Sequence, residues 1–313
     1  MINQRDFSRI LIGTSSLLLL ATAACGQEAA CPRVSQLMSL SCSAESAEEY
    51  FATTAACRNN FGPGSDCWRD ALDEFDEALA FCGEVEDARN DVCDALPDDG
   101  EYLPDLDPAN FLSLEDAAAN PNPYFPLVPG TVWTYEGEDE TIVVEVLPID
   151  QGREILGIEC FSVRDTVTED GEFVELTIDW YAVDVDGNVW YMGEVAQNFE
   201  DGFLTDLDGS WVAGVDGAQP GILTEANPMV GPLRRTEFLI GEAEDVAMTV
   251  SVTGDEVVST AACAGACVVT NEGTPLEPDA DEDKYALAGV GTILEIDKSD
   301  GSRTELVEVT FPE

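Results

Sequence analysis

The side chains with the most chemical potential in this sequence are carboxylates and thiols. Sixty-four Asp and Glu residues stand against 13 Lys and Arg, ten cysteines are spread along the chain, and histidine is absent. Without histidine the chain lacks both the side chain that titrates near neutrality and the commonest metal ligand. Ser-His-Asp and Cys-His catalysis are therefore excluded within it, and general acid–base work falls to carboxyl groups. Glycoside hydrolysis needs two of them, one as acid and one as base or nucleophile across the sugar. Asp179 and Glu194, each beside tryptophan and tyrosine, are the least arbitrary pair among so many acids. Calcium prefers hard oxygen ligands, and three acidic clusters offer them: Asp184-Val185-Asp186-Gly187-Asn188, Asp206-Leu207-Asp208-Gly209 and Asp279-Ala280-Asp281-Glu282-Asp283. In the first, glycine comes too early for an EF-hand loop and no glutamate follows in register. All three are expected to be turns or solvated loops, with no metal and no cofactor. Cys263 and Cys267, together with Cys160, could supply three thiolates to zinc. In an oxidising compartment the expected outcome is a disulfide instead, either Cys160 with Cys267 between strands or the local pair.

The remaining cysteines need elements to position them. Cys31, Cys42, Cys57, Cys67, Cys82 and Cys93 are separated by 10, 14, 9, 14 and 10 residues, a palindrome that a folded-back hairpin requires. Between Cys42 and Cys57 the chain is rich in alanine and glutamate without glycine or proline, which predicts a helix. A second helix is expected from Cys67 to Cys82, with Trp68, Leu72, Phe75, Leu79 and Cys82 along one face. Ser65 or Asp66 would cap its start and Gly83 its end. Antiparallel helices would bring together Cys57 with Cys67, Cys42 with Cys82 and Cys31 with Cys93, one of the 15 pairings six cysteines allow. The hairpin is expected to act as a stapled structural unit, or as a spacer or partner-binding element near a membrane.

Disulfides presuppose export. Arg5 and Arg9 precede an apolar run from Ile10 to Leu20, followed by Ala21-Thr22-Ala23-Ala24 and Cys25. That layout is a bacterial secretory leader over residues 1–24, too short and too polar at Thr14-Ser15-Ser16 for a membrane-spanning helix. Small residues leading into cysteine resemble a lipoprotein signal with Cys25 as the lipidated residue, although Thr22 stands where such signals usually carry leucine. The competing reading is ordinary cleavage after Ala23, leaving Cys25 free for a disulfide. The expected location is the bacterial cell envelope, with the membrane as partner through the lipid anchor and an unidentified extracellular or periplasmic partner. A formal charge of -51 repels phosphate backbones, so nucleic acid is excluded as a partner.

Beyond the expected helical segment (25–96) and a Pro-rich acidic linker with one short helix (97–123), the period changes to two. In Phe173 to Tyr181, Val174, Leu176, Ile178 and Trp180 point one way and Glu175, Thr177 and Asp179 the other, as in a half-buried strand. Similar runs occur at residues 131–136, 142–147, 160–167, 188–193, 248–258, 266–271, 291–297 and 303–311. Asp170-Gly171, Asp186-Gly187 and Asp300-Gly301 mark tight turns between them. The expected fold class is α+β: a disulfide-tied N-terminal helical hairpin, then a mainly antiparallel β-domain over 124–313, as open barrel or sandwich. A two-residue turn at Asp186-Gly187 would pair Val183 with Trp190, placing Tyr181, Trp190 and Met192 on one face. That face is a candidate ligand groove if it is not simply core.

The strings NPYFPLVPGTVWTYEG (122–137), DWYAVDVDGNVWYMGE (179–194), AGVDGAQPGILTEANPMVG (213–231) and KYALAGVGTILE (284–295) resemble an uncharacterised family of exported bacterial β-proteins and lipoproteins. The resemblance covers about residues 121 to 297 and implies location and domain extent, with no activity attached. Asp283 occupies a position where that family would carry histidine or asparagine, which argues against a metal role there. The expected function is that of a non-enzymatic envelope lipoprotein acting as a binding or structural module. The alternative is a carboxylate-dependent extracellular glycan hydrolase.

Overall fold

A computed structural model describes residues 30–62, 65–98 and 100–312. The expected leader (1–24) and Cys25 lie outside them. Two long helices, α1 (Ala30–Asn60) and α2 (Asp66–Ala95), form the expected hairpin. Disulfides join Cys31 to Cys93, Cys42 to Cys82 and Cys57 to Cys67, with Cα separations of 5.7, 5.8 and 5.7 Å that keep the helices parallel-sided. Gly83 does not end α2, which runs on for three more turns to carry Cys93 to the level of Cys31. A helix held by flanking disulfides tolerates an interior glycine whose cost is only about 1 kcal/mol. The inner stripe of α2 is Ala71, Cys82, Val85, Arg89 and Cys93, while Leu72 and Leu79 are exposed.

Residues 97–123 run across the β-domain rather than spanning open space. Tyr102 Oη donates to Pro220 O at 3.0 Å and Leu112 N to Val183 O at 2.9 Å. The short helix α3 (Leu114–Ala119) is capped by Ser113, whose side chain accepts from Asp116 N, and it buries Leu114 and Ala117 in the core.

Sixteen strands follow. They are β1 (Val132–Glu136), β2 (Glu140–Val146), β3 (Arg153–Ile155), β4 (Ile158–Glu169), β5 (Glu172–Val183) and β6 (Val189–Glu200). Next come β7 (Phe203–Asp206), β8 (Trp211–Val212), β9 (Gln219–Thr224), β10 (Arg234–Arg235) and β11 (Glu237–Phe238). The last are β12 (Val246–Gly254), β13 (Cys267–Thr274), β14 (Glu277–Leu287), β15 (Gly291–Asp297) and β16 (Arg303–Thr310). The antiparallel sheet runs β10-β12-β13-β14-β15-β16-β1-β2-β4-β5-β6-β9-β11 and is nearly closed into a barrel. Its two ends belong to one stretch: β10 pairs with β12, β11 pairs with β9, and only Thr236 separates them. Gly221 makes this seam possible, since a Cβ there would sit 2.2 Å from Arg235 O. The Arg234 side chain sews it further, donating to Ile222 O at 3.0 Å and Leu223 O at 2.9 Å.

Two expectations fail locally. The Asp279–Asp283 cluster is not a loop but part of β14: Asp281 pairs with β13, and Glu282 and Asp283 pair with both β13 and β15; tertiary pairing and the Lys284 ammonium outweigh the poor strand propensity of its acids. The β5–β6 hairpin closes one residue away from the expected register. The Asp184 carboxylate accepts from the N–H groups of Asp186 and Asn188, the Asn188 amide and the Trp190 indole, at 2.9–3.0 Å. This lengthens the loop, so Val183 pairs with Val189, Ala182 with Trp190 and Tyr181 with Tyr191. A one-residue slip moves side chains to the opposite face. Trp190 and Met192 therefore pack outside with Trp180 and Ala182, whereas Tyr181 points inward, and the expected groove is not assembled.

Candidate functional site

Strands β4, β5 and β6 are covered on both faces, and each face has its own chemistry. Outside, Trp180, Ala182, Met192, Trp211 and Cys160 form a compact apolar layer. Inside, Phe161, Val163 and Tyr181 build the main core. In the same inward phase β4 continues to Asp165 and β5 carries Thr177 and Asp179, so the polar half of the alternating β5 pattern is the half that faces into the barrel. Asp179 stands opposite Glu194 on β6, which places their Cβ atoms about 5 Å apart.

Asp165, Asp179 and Tyr181 border a partly enclosed cavity of about 280 Å³ within the barrel, whose walls do not include Glu194. Asp165, Asp179, Glu225, Glu272 and Glu295 supply its acids, and Phe125, Trp133, Tyr135 and Tyr181 its aromatic walls. Two cations reach it: Lys284, paired with the cavity's own Glu272 and Glu295, and Arg234, engaged by backbone carbonyls. Lys284 lies 3.3 Å from Glu272, 3.6 Å from Glu282 and 3.7 Å from Glu295, and Arg234 holds the β9 carbonyls. Asp179 Oδ1 accepts from Tyr191 Oη at 2.6 Å, while Asp165 Oδ1 is buried without a hydrogen-bond partner among the described residues. Tyr181 stacks on Tyr191 at 4.9 Å and meets Phe125 edge-on at 5.1 Å, fixing the rings that frame the acids.

Burial in low dielectric disfavours a charged carboxyl, and neighbouring like charges add to the effect. Burial, then the charge of Asp179, pushes Asp165 up to about 8. Burial, then Glu194, pushes Asp179 up to about 8, against the opposing hydrogen bond from Tyr191. Glu194 is raised to about 7, again mainly by burial. Glu237 and Asp245, on the closing seam, are also raised by burial, and in Glu237 by Asp245 next. Lys284 is held protonated by Glu295 and Glu272. Burial thus favours the neutral form of these interior acids.

Among the sequence candidates, Asp179, Glu194 and Tyr181 are brought together; Trp190 and Met192 are not. The Asp184 carboxylate is used up by its own turn, and Asp206 accepts from Asn198 Nδ2 at 2.6 Å and Asp208 N at 3.2 Å. Among the described residues no group of three or more acids or cysteines is arranged to hold a metal ion. Cys263 pairs locally with Cys267, leaving Cys160 a buried thiol without a disulfide partner among the described residues, which burial pushes up to about 12; the Cys160–Cys267 bridge is not formed. A thiol so raised is not a thiolate at physiological pH. Sequence reasoning missed Asp165, Glu272, Glu295, Lys284 and Arg234. The signal was present for Asp165, which stands where Phe161-x-Val163-x would place the next core residue. No protein-family model, curated protein or solved structure matches the chain.

Proposed function

We propose that the protein is an exported binding protein of the cell envelope, held to the membrane by a lipid on Cys25, whose barrel interior takes up a small organic cation. Four disulfides suit an oxidising compartment, and among the described residues no helix is long and apolar enough to cross a membrane. The resemblance of residues 121–297 to exported bacterial lipoproteins supports the same location. The binding reading rests on one observation: Asp165, one of whose carboxyl oxygens is buried without a hydrogen-bond partner among the described residues, lines a cavity walled by aromatic rings whose own cations are already engaged. Aromatic faces and a desolvated carboxylate together recognise ammonium groups.

Calorimetry with choline, putrescine and the neutral isostere 3,3-dimethylbutanol tests this. A cation should bind, the alcohol should not, and affinity should rise between about pH 6 and 8, since binding ionises acids titrating at about 7 to 8. Equal binding of the alcohol, or no binding of either amine at pH 8, would end the proposal.

The hydrolase alternative has one observation in its favour, the direct opposition of Asp179 and Glu194. Such a pair works when environment drives one carboxyl up and leaves the other ionised. Here burial raises both, and Tyr191 already occupies Asp179. Release of reducing sugar from envelope glycans, lost on Glu194→Gln, would favour it instead. The binding reading assigns no catalytic residue.

A further inference from the structure

A second, larger cavity lies where the helical hairpin meets the barrel. It measures about 630 Å³, within the roughly 300–1,000 Å³ of small-molecule sites. Its walls are mostly apolar: Val34 on α1, Val92 and Leu96 at the end of α2, Leu233, and the Phe238 ring on β11. Asp98 and Glu101 are exposed at its rim.

Besides Asp98 and Glu101, four charged groups line the cavity: Arg89, Arg235, Glu244 and Arg234, the last already engaged by the β9 carbonyls. Glu244 is fully used by Arg89, with Nη2 to Oε1 at 2.6 Å and Nε to Oε1 and Oε2 at 3.1 and 3.0 Å. Arg235 is only 7% exposed, yet among the described residues it has no carboxylate partner. Its Nη1 has no hydrogen-bond partner and its Nη2 reaches only Cys31 Sγ, a weak acceptor, at 3.7 Å. The guanidinium lies over the Phe238 ring at 4.0 Å, which supports a cation without neutralising it. Glu244 thus serves Arg89 alone, leaving the Arg235 guanidinium without a carboxylate in a mostly apolar pocket, and a buried charge without a partner is costly.

We infer that this junction binds a single-chain alkyl carboxylate, a free fatty acid, with its head on Arg235 and its chain between the end of α2 and β11. The excess charge and the apolar walls are complementary to that amphiphile and to neither a neutral apolar molecule nor a cationic one. The site shares only Arg234 with the lining of the acidic barrel interior and is opposite to it in charge preference, so either proposal can fail alone.

Titration of the full-length protein with myristate, myristyl alcohol and tetradecyltrimethylammonium, each below its micelle concentration, decides the matter. Myristate should bind at least about tenfold more tightly than the alcohol, the difference expected for one buried charge-assisted hydrogen bond, and the ammonium should not bind. Equal affinity for acid and alcohol, or no binding of myristate, overturns the inference. Arg235→Gln should erase the preference while Arg235→Lys retains part of it. Should Arg235→Gln fail to fold, the ligand series on the unaltered protein still decides. As an independent check, Leu96→Trp should lower myristate affinity by filling the pocket; unchanged affinity would contradict the placement.

Discussion

Asp179 shows how one side chain couples the site to stability. An Asp in the unfolded chain titrates near 3.9, whereas in the barrel it is raised to about 8, first by burial and then by Glu194. Below about pH 4 both states hold the proton. As pH rises toward 8 the unfolded chain releases it while the folded chain keeps it, so stability contributed at low pH is progressively lost. Asp179→Asn preserves an acceptor for Tyr191 Oη and removes the titration. Urea unfolding should show this variant more stable than wild type by about 1–3 kcal/mol at pH 8, with the gap shrinking toward pH 4. A gap independent of pH would mean that Asp179 is ionised in the folded protein. Because general repulsion among 64 acids also grows with pH, the difference between the two proteins, rather than either curve, carries the information.

At the scale of elements, the helical hairpin is held by covalent bonds more than by its core. Helix α1 buries only Ser35, Thr54 and Cys57, while Leu37, Leu40, Phe51 and Phe81 are exposed. Removing the middle bridge with Cys42→Ser and Cys82→Ser should cost about 2–4 kcal/mol. The loss should be confined to the hairpin: hydrogen exchange should accelerate in α1 and α2 and leave β4 to β6 protected. Uniform acceleration would show instead that hairpin and barrel unfold as one unit. The hairpin was legible in the sequence because mirror spacing of cysteines constrains geometry directly. Strand β14 was not: Asp279, Asp281 and Asp283 lower intrinsic strand preference, and only ladder pairing with β13 and β15 makes the segment extended.

On the scale of the whole molecule, a buried ion pair pins the hairpin to the barrel. Arg89 on α2 and Glu244 before β12 are 155 residues apart and almost fully buried. Arg89→Met alone should destabilise by about 3–5 kcal/mol, because it strands the Glu244 carboxylate; Arg89→Met with Glu244→Leu should recover most of the loss. Equal losses in single and double variants, measured by thermal unfolding, would show that the pair does not couple the two parts. Barrel closure is likewise a long-range event. Nothing local in Arg234-Arg235-Thr236-Glu237-Phe238 announces a strand that serves both ends of the sheet; it forms because Gly221 lets the backbones approach and Arg234 satisfies the β9 carbonyls.

The amino-acid sequence by itself determined the α+β class, the three nested disulfides and most strand positions. These follow from short-range periodicity and from covalent spacing, which need no knowledge of distant neighbours. Tertiary structure alone decided that the polar face of β5 lies inside, that Trp190 turns away from Tyr181, and that Cys160 is left unpaired while Cys263 joins Cys267. Each of those outcomes depends on which strand lies opposite and in what register. A shift of one residue exchanges core for surface, and alternation in a single strand cannot say which of its two faces the barrel will enclose.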